Sequence, residues 1–168
     1  MFLMKNEHSL LIAIRRWILF FFVATLLSGI TAFPIETELE WLSTHGNYFP
    51  EFLRVWIETV YAGVKETNAK FPFILYGTDW LAFAHIVIAL ALIGPYRDPV
   101  RNQWVIDWAI LSCLLVFPLA LIAGPIRGIP FFHQMIDCSF GLIGLIPLLF
   151  VRNRIQQLSL IKSSNSNL

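Results

Sequence analysis

Long apolar runs separated by short polar breaks dominate the chain. Residues 17–35 carry no charge, and residues 80–96 carry none apart from the titratable His85. A third run follows Asp107, and the fourth, 130–151, holds only His133 and Asp137. A helix needs about 17–25 mainly apolar residues to cross the hydrocarbon layer. Helix is the required form, because lipid cannot satisfy open backbone groups. The pattern predicts an all-α fold, a four-span transmembrane helical bundle with spans at about 17–35, 80–96, 106–124 and 130–151. The 17 residues of 80–96 give the second span the least margin.

The span ends are marked by side chains suited to the headgroup region. Trp17, Trp80, Trp104, Trp108, Phe131 and Phe132 stand at starts and Tyr96 at an end, where amphipathic rings sit well. Gly94-Pro95 and Gly124-Pro125 are expected helix stops, since glycine accepts the left-handed cap and proline cannot continue the helix. Residues 91–99 and 119–130 echo each other. They read as two similar stops, each with an arginine at the negative helix end, rather than as a duplicated unit.

Between the first two spans, 36–79 reads as an external helical segment. Ile35, Leu39 and Leu42 follow Pro34 at helical spacing until Gly46. A second start at Pro50-Glu51 opens a helix with Phe52, Leu53, Trp56, Ile57, Val60 and Val64 on one face. Arg54 and Glu58 are spaced to pair. The amphipathic pattern suits either a helix lying on the membrane surface or a cap on the span ends. Seven acids against three bases disfavour a surface-bound lipid-binding helix, which favours a basic polar face, so a cap packed through Phe52, Trp56 and Val60 is expected. Residues 68–77 read as a turn-rich approach to the second span.

Composition agrees. The 168 residues are 57% hydrophobic and 14% charged, against about 25% charged in soluble domains. The length allows a single membrane domain. A net charge of +1 gives no reason to expect nucleic acid as a partner. Cys113 and Cys138 lie in apolar runs without metal-ligand spacing and read as small hydrophobes.

Sidedness follows the distribution of Lys and Arg. Eight fall in the N-terminus, the loop near 100 and the tail 152–168, and four fall in 36–79 and the turn at 127. Both termini are therefore expected in the cytoplasm. A signal peptide ending near Ala32 is a rival for the first span. Ile30 at the third position back, and an apolar run continuing to Phe33, favour an uncleaved span.

The candidate chemistry is a cluster by depth. His85 and His133 lie near the outer ends of the second and fourth spans, and Asp137 is one turn from His133. Arg127 lies in the short turn above, and Gly141 and Gly144 extend the stripe downward, where small residues permit close helix approach. An ionisable group inside a span is a functional-site hypothesis by default. The cluster reads as a structural network of Arg127, Asp137 and a histidine. It also reads as a cofactor site, with His85 and His133 as axial ligands of a haem b. A metal held with His45, Asp79 or Asp137, or a quinone between a histidine and Arg127, are further versions. Asp107 reads as an interfacial partner of Arg97 or Arg101. No P-loop, nucleophile elbow or H-E-x-x-H motif is present. Four short spans leave little room for a transport path, and among them only Pro118 is read as a break.

Residues 76–80, Tyr-Gly-Thr-Asp-Trp, the Gly-Pro-Tyr-Arg-Asp-Pro-Val loop at 94–100 and the Gly-Pro-Ile-Arg-Gly-Ile-Pro turn at 124–130 resemble small multi-spanning bacterial inner-membrane proteins of unassigned function. The resemblance covers about residues 76–152. It implies a bacterial inner-membrane location and neither an activity nor a ligand. Two classes result. The chain is a non-enzymatic accessory or structural membrane subunit, in contact with lipid and with a membrane-protein partner or further copies of itself. Alternatively it is a haem-, metal- or quinone-binding membrane protein.

Overall fold

The computed structural model describes residues 2–166, with side chains from 7 to 164. The described residues form α1 (Phe2–Ala32), α2 (Ile35–Thr44), α3 (Glu51–Lys70), α4 (Pro72–Ala91), α5 (Ile93–Arg97), α6 (Gln103–Pro118), α7 (Gly124–Ile126) and α8 (Phe131–Ser166). A 3-10 turn, Gly46–Tyr48, separates α2 from α3, and a π-helical turn, Leu119–Ala123, follows α6. No strand occurs among the described residues, so the fold is all-α. Four stretches are long and apolar enough to cross a membrane: Glu7–Ala32, Pro72–Arg97, Gln103–Ile126 and Phe131–Ser164. The shortest has 24 residues, or about 36 Å at the usual helical rise, which exceeds a hydrocarbon layer of about 30 Å.

The chain divides into two compact units, residues 1–22 with 91–168, and residues 23–90. The first is organised by α6 packed along α8. Gln134, Cys138, Gly141, Leu148, Val151, Ile155 and Leu158 are buried at spacings of three, four or seven residues, the seam of a helix gripped by a neighbour. Ile14, Ile18, Leu92, Val105 and Ile106 complete its core. Gly141 and Gly144 face α6: a Cβ at Gly141 would stand 2.7 Å from the Cys113 carbonyl oxygen, and one at Gly144 2.9 Å from Cys113 Sγ. The close approach expected of these two glycines is therefore present.

The tail expected to begin at 152 is helical through Ser166, because the apolar spacing runs on through Ile155 and Leu158, both fully buried. Pro118 lacks the N–H that an α-turn needs, and the wider π turn follows it directly. Pro147, not read as a break, lies within α8, which continues through it. Between α5 and α6 the loop is cross-braced: Asn102 Nδ2 donates to the Gly94 and Asp98 carbonyls at 3.1 and 2.9 Å, and Asp98 Oδ1 accepts from the Arg101 amide at 3.1 Å.

The second unit contains the end of α1, the α2–α3 hairpin and most of α4. A Cβ on Gly29 would lie 2.8 Å from the Ala82 carbonyl oxygen, so α1 and α4 meet at bare backbone. In the hairpin, Asn68 Nδ2 donates to Glu36 Oε2 at 2.6 Å and the Tyr61 hydroxyl to Glu40 Oε1 at 3.1 Å. Arg54 pairs with Glu58 at 3.1 Å as its spacing predicts. The half-buried stripe of α3 is Leu53, Trp56, Ile57, Val60 and Val64, which includes the expected Trp56 and Val60, whereas Phe52 is exposed. The approach to α4 is not turn-rich. Only Phe71 separates α3 from α4; its amide closes α3 on the Thr67 carbonyl at 2.7 Å, and Pro72 occupies a first helical position, which its fixed φ favours. Lys65 Nζ donates to the Tyr61 hydroxyl at 3.1 Å. That bond, then the Tyr61 charge and the nearby Glu40 and Glu36, raises the Lys65 pKa.

Two outcomes follow. Gly141→Ala must push α6 away from α8, because the opposing atom is backbone; thermal unfolding in detergent should show a loss of about 1–3 kcal/mol. Lys65 should titrate above an ordinary lysine by NMR, and Tyr61→Phe should lower it. The sign follows from linkage: a raised lysine pKa adds stability that is complete below the unfolded value and fades as pH rises through the folded one.

Candidate functional site

His85 projects from α4 toward Gly29, where its Cβ would meet an added Cβ at 3.0 Å. Its Nδ1 lies 2.8 Å from the Leu81 carbonyl oxygen, one turn back. A carbonyl only accepts, so this contact is a hydrogen bond with Nδ1 carrying the proton, and a neutral ring of that tautomer leaves its lone pair on Nε2. His133 Nε2 stands 3.9 Å from Asp137 Oδ1, both partly exposed. That is ion-pair range and too long for a hydrogen bond. His85 belongs to the second unit, and His133, Asp137 and Arg127 belong to the first.

The Arg127 backbone amide closes α7 on the Ala123 and Gly124 carbonyls at 3.0 and 3.1 Å, and its side chain is exposed. No ion pair joins it to Asp137 among the described residues. The turn is tied to α8 instead by Gln134, which is 5% exposed and whose Nε2 donates to the Ile129 carbonyl at 2.7 Å. Gly124 makes room: a Cβ there would stand 2.9 Å from Gln134 Cγ. Gly128, with φ +70°, completes the reversal in the left-handed region that glycine favours. Gln134 was missed from sequence. Its signal was a single polar residue on the stripe that continues through Cys138 and Gly141.

Asp107 pairs with Arg152, Nε to Oδ1 at 2.6 Å, rather than with Arg97 or Arg101. Its partner follows buried Val151 on the α6–α8 seam, whereas Arg97 and Arg101 leave with the self-bonded loop at 94–102. His45 stacks on Trp41 with centroids 4.5 Å apart, and its Nδ1 lies 2.8 Å from the Trp41 carbonyl oxygen. Asp79 lines a different feature, a cleft of about 500 Å³ whose wall includes Glu36, Glu40, Asn68 and Tyr76. Among the described residues no three His, Cys, Asp or Glu side chains are placed to hold a metal ion.

Large apolar side chains face outward along the helices, among them Phe20, Leu119, Phe140 and Ile146, each more than half exposed. Such an inside-out surface on four helices long enough to cross a bilayer defines the class: a helical membrane protein with four candidate spans. Comparison with protein-family models, with curated proteins and with solved structures finds no match for this chain.

Gln134→Leu removes the only described donor to the Ile129 carbonyl while keeping most of the volume. A cost of about 1–3 kcal/mol is expected from the unpaired buried group, read by thermal unfolding. Asp107→Arg alone should also destabilise, and combining it with Arg152→Asp should recover part of the loss.

Proposed function

We propose that this chain is a non-enzymatic accessory or structural protein of the bacterial inner membrane, with both termini cytoplasmic. The observation that carries the reading is that the polar side chains along the helices serve the fold itself. Gln134 holds the turn at 124–130, Arg152 bridges α8 to α6 through Asp107, and Asn102 closes the loop between α5 and α6. Those contacts brace the first unit, and the second carries a helical hairpin, forms suited to a subunit that supports other membrane components.

The sidedness rests on the charge distribution and on two contacts. Arg15 Nε donates to the Tyr96 carbonyl at 3.2 Å, and Arg152 reaches Asp107. Both contacts draw the basic stretches of α1, the loop near 100 and the tail to one end of their unit. Basic segments are retained on the cytoplasmic side during insertion. Reporter fusions after residue 160 and near residue 100 should therefore read cytoplasmic, and one near residue 47 external; a cytoplasmic signal at 47 would overturn the arrangement.

One observation favours the cofactor reading as a second. A ligating histidine usually donates its other ring N–H to a carbonyl or carboxylate, and His85 has that orientation through Leu81. On this reading His85 supplies a ligand to a haem b, a metal or a quinone. An absorption spectrum and metal analysis of the purified protein separate the two. The scaffold reading expects no chromophore and no stoichiometric metal. A haem band lost in His85→Ala would establish the second reading instead.

A further inference from the structure

The first unit carries an apolar groove of about 240 Å³ between α1 and α5, lined by Ile18, Leu19, Phe22, Leu92, Ile93 and Tyr96. Arg15 stands at its rim. Arg15, Leu19 and Phe22 fall at helical spacing on one face of α1, a line of about 10 Å along the axis with the arginine at one end and the apolar pair beginning one turn on. Its Nε is committed to the Tyr96 carbonyl at 3.2 Å, and its guanidinium carbon lies 5.8 Å from the Tyr96 ring centroid. This contact fixes the plane of the side chain. The remaining N–H donors of the fork have no partner among the described residues.

We propose that this groove binds an anionic diacyl phospholipid, with one acyl chain along Leu19 and Phe22 and the headgroup phosphate on Arg15. Three features select that occupant. The groove lies on a helix surface otherwise covered with outward apolar side chains, which presents it to acyl chains. A planar guanidinium held at its Nε offers its other edge to phosphate oxygens, the geometry in which arginine exceeds lysine. The surrounding charge then discriminates among lipids. The N-terminus, the loop near 100 and the tail hold eight basic residues against three acidic ones, and Asp107 is already paired with Arg152. A zwitterionic headgroup leaves that excess uncompensated, whereas a net negative one meets it; each basic group near an anionic surface is worth about 1 kcal/mol. Tyr96 supplies the amphipathic ring at the boundary between headgroup and chain. The proposal holds whichever side of the membrane this end of the unit faces.

The test uses the full chain purified in detergent, with phosphatidylglycerol, phosphatidylcholine and inorganic phosphate as probes. Native mass spectrometry counts retained lipid, and thermal unfolding reports stabilisation. Phosphatidylglycerol should be retained and should raise the unfolding temperature more than phosphatidylcholine. Arg15→Gln should weaken its retention about fivefold, the equivalent of one lost basic contact. Leu19→Trp, which fills the groove and leaves the charges intact, should weaken it as well. Arg127→Gln, on the turn at 124–130, should leave it unchanged. Circular dichroism checks that each variant folds; if Arg15→Gln does not, Leu19→Trp decides. Equal retention of both lipids overturns the proposal, as does unchanged retention in the folded variants. Stabilisation by inorganic phosphate equal to that by phosphatidylglycerol overturns it too, since the groove would then contribute nothing.

Discussion

The close approach of α6 and α8 is the contact on which the rest of the first unit depends. Between helices in lipid, apolar burial gives little net drive, because acyl chains are as apolar as leucine, so association rests on van der Waals fit. Gly141 and Gly144 supply that fit by letting the Cys113 carbonyl and side chain, with Val116 and Phe117, come directly against the α8 backbone. Once the axes are this close, Leu148, Val151, Ile155 and Leu158 are drawn into continuous contact, and α1 and Leu92 fill the remaining side. The Asp107–Arg152 pair forms across the same seam and fixes its register.

The polar groups then take roles that the seam makes available. Gln134 lies on the inward stripe of α8, so it meets the turn before it and satisfies the Ile129 carbonyl. Arg127, two residues earlier than that carbonyl, points away. In the second unit the same economy holds: His85 bonds the Leu81 carbonyl and His45 the Trp41 carbonyl, each one turn back along its own helix. Local acceptors lie within reach of any helical side chain with the right rotamer. Long-range ones require that another element be brought near. The Arg15–Tyr96 contact is of the second kind, and it brings a guanidinium to the rim of an apolar groove, a juxtaposition with more chemical content than either residue alone.

The sequence by itself determined the helical class, the four apolar stretches, the hairpin helices beginning near Ile35 and Glu51, and the glycines at the α6–α8 crossing. These are legible because helical periodicity, apolar length and proline or glycine punctuation act within a few residues of one another. It also located the candidate residues His85, Arg127, His133 and Asp137 along the chain. Tertiary structure alone decided their neighbours. It gave Asp107 to Arg152 across 45 residues instead of to the nearby Arg97 or Arg101, made Gln134 the anchor of the turn, and carried α8 through Pro147 into a packed tail. Spacing along one helix says which side chains share a face. Which partner meets that face depends on how two helix axes cross, and that is set by the fit of whole surfaces rather than by any local run of residues.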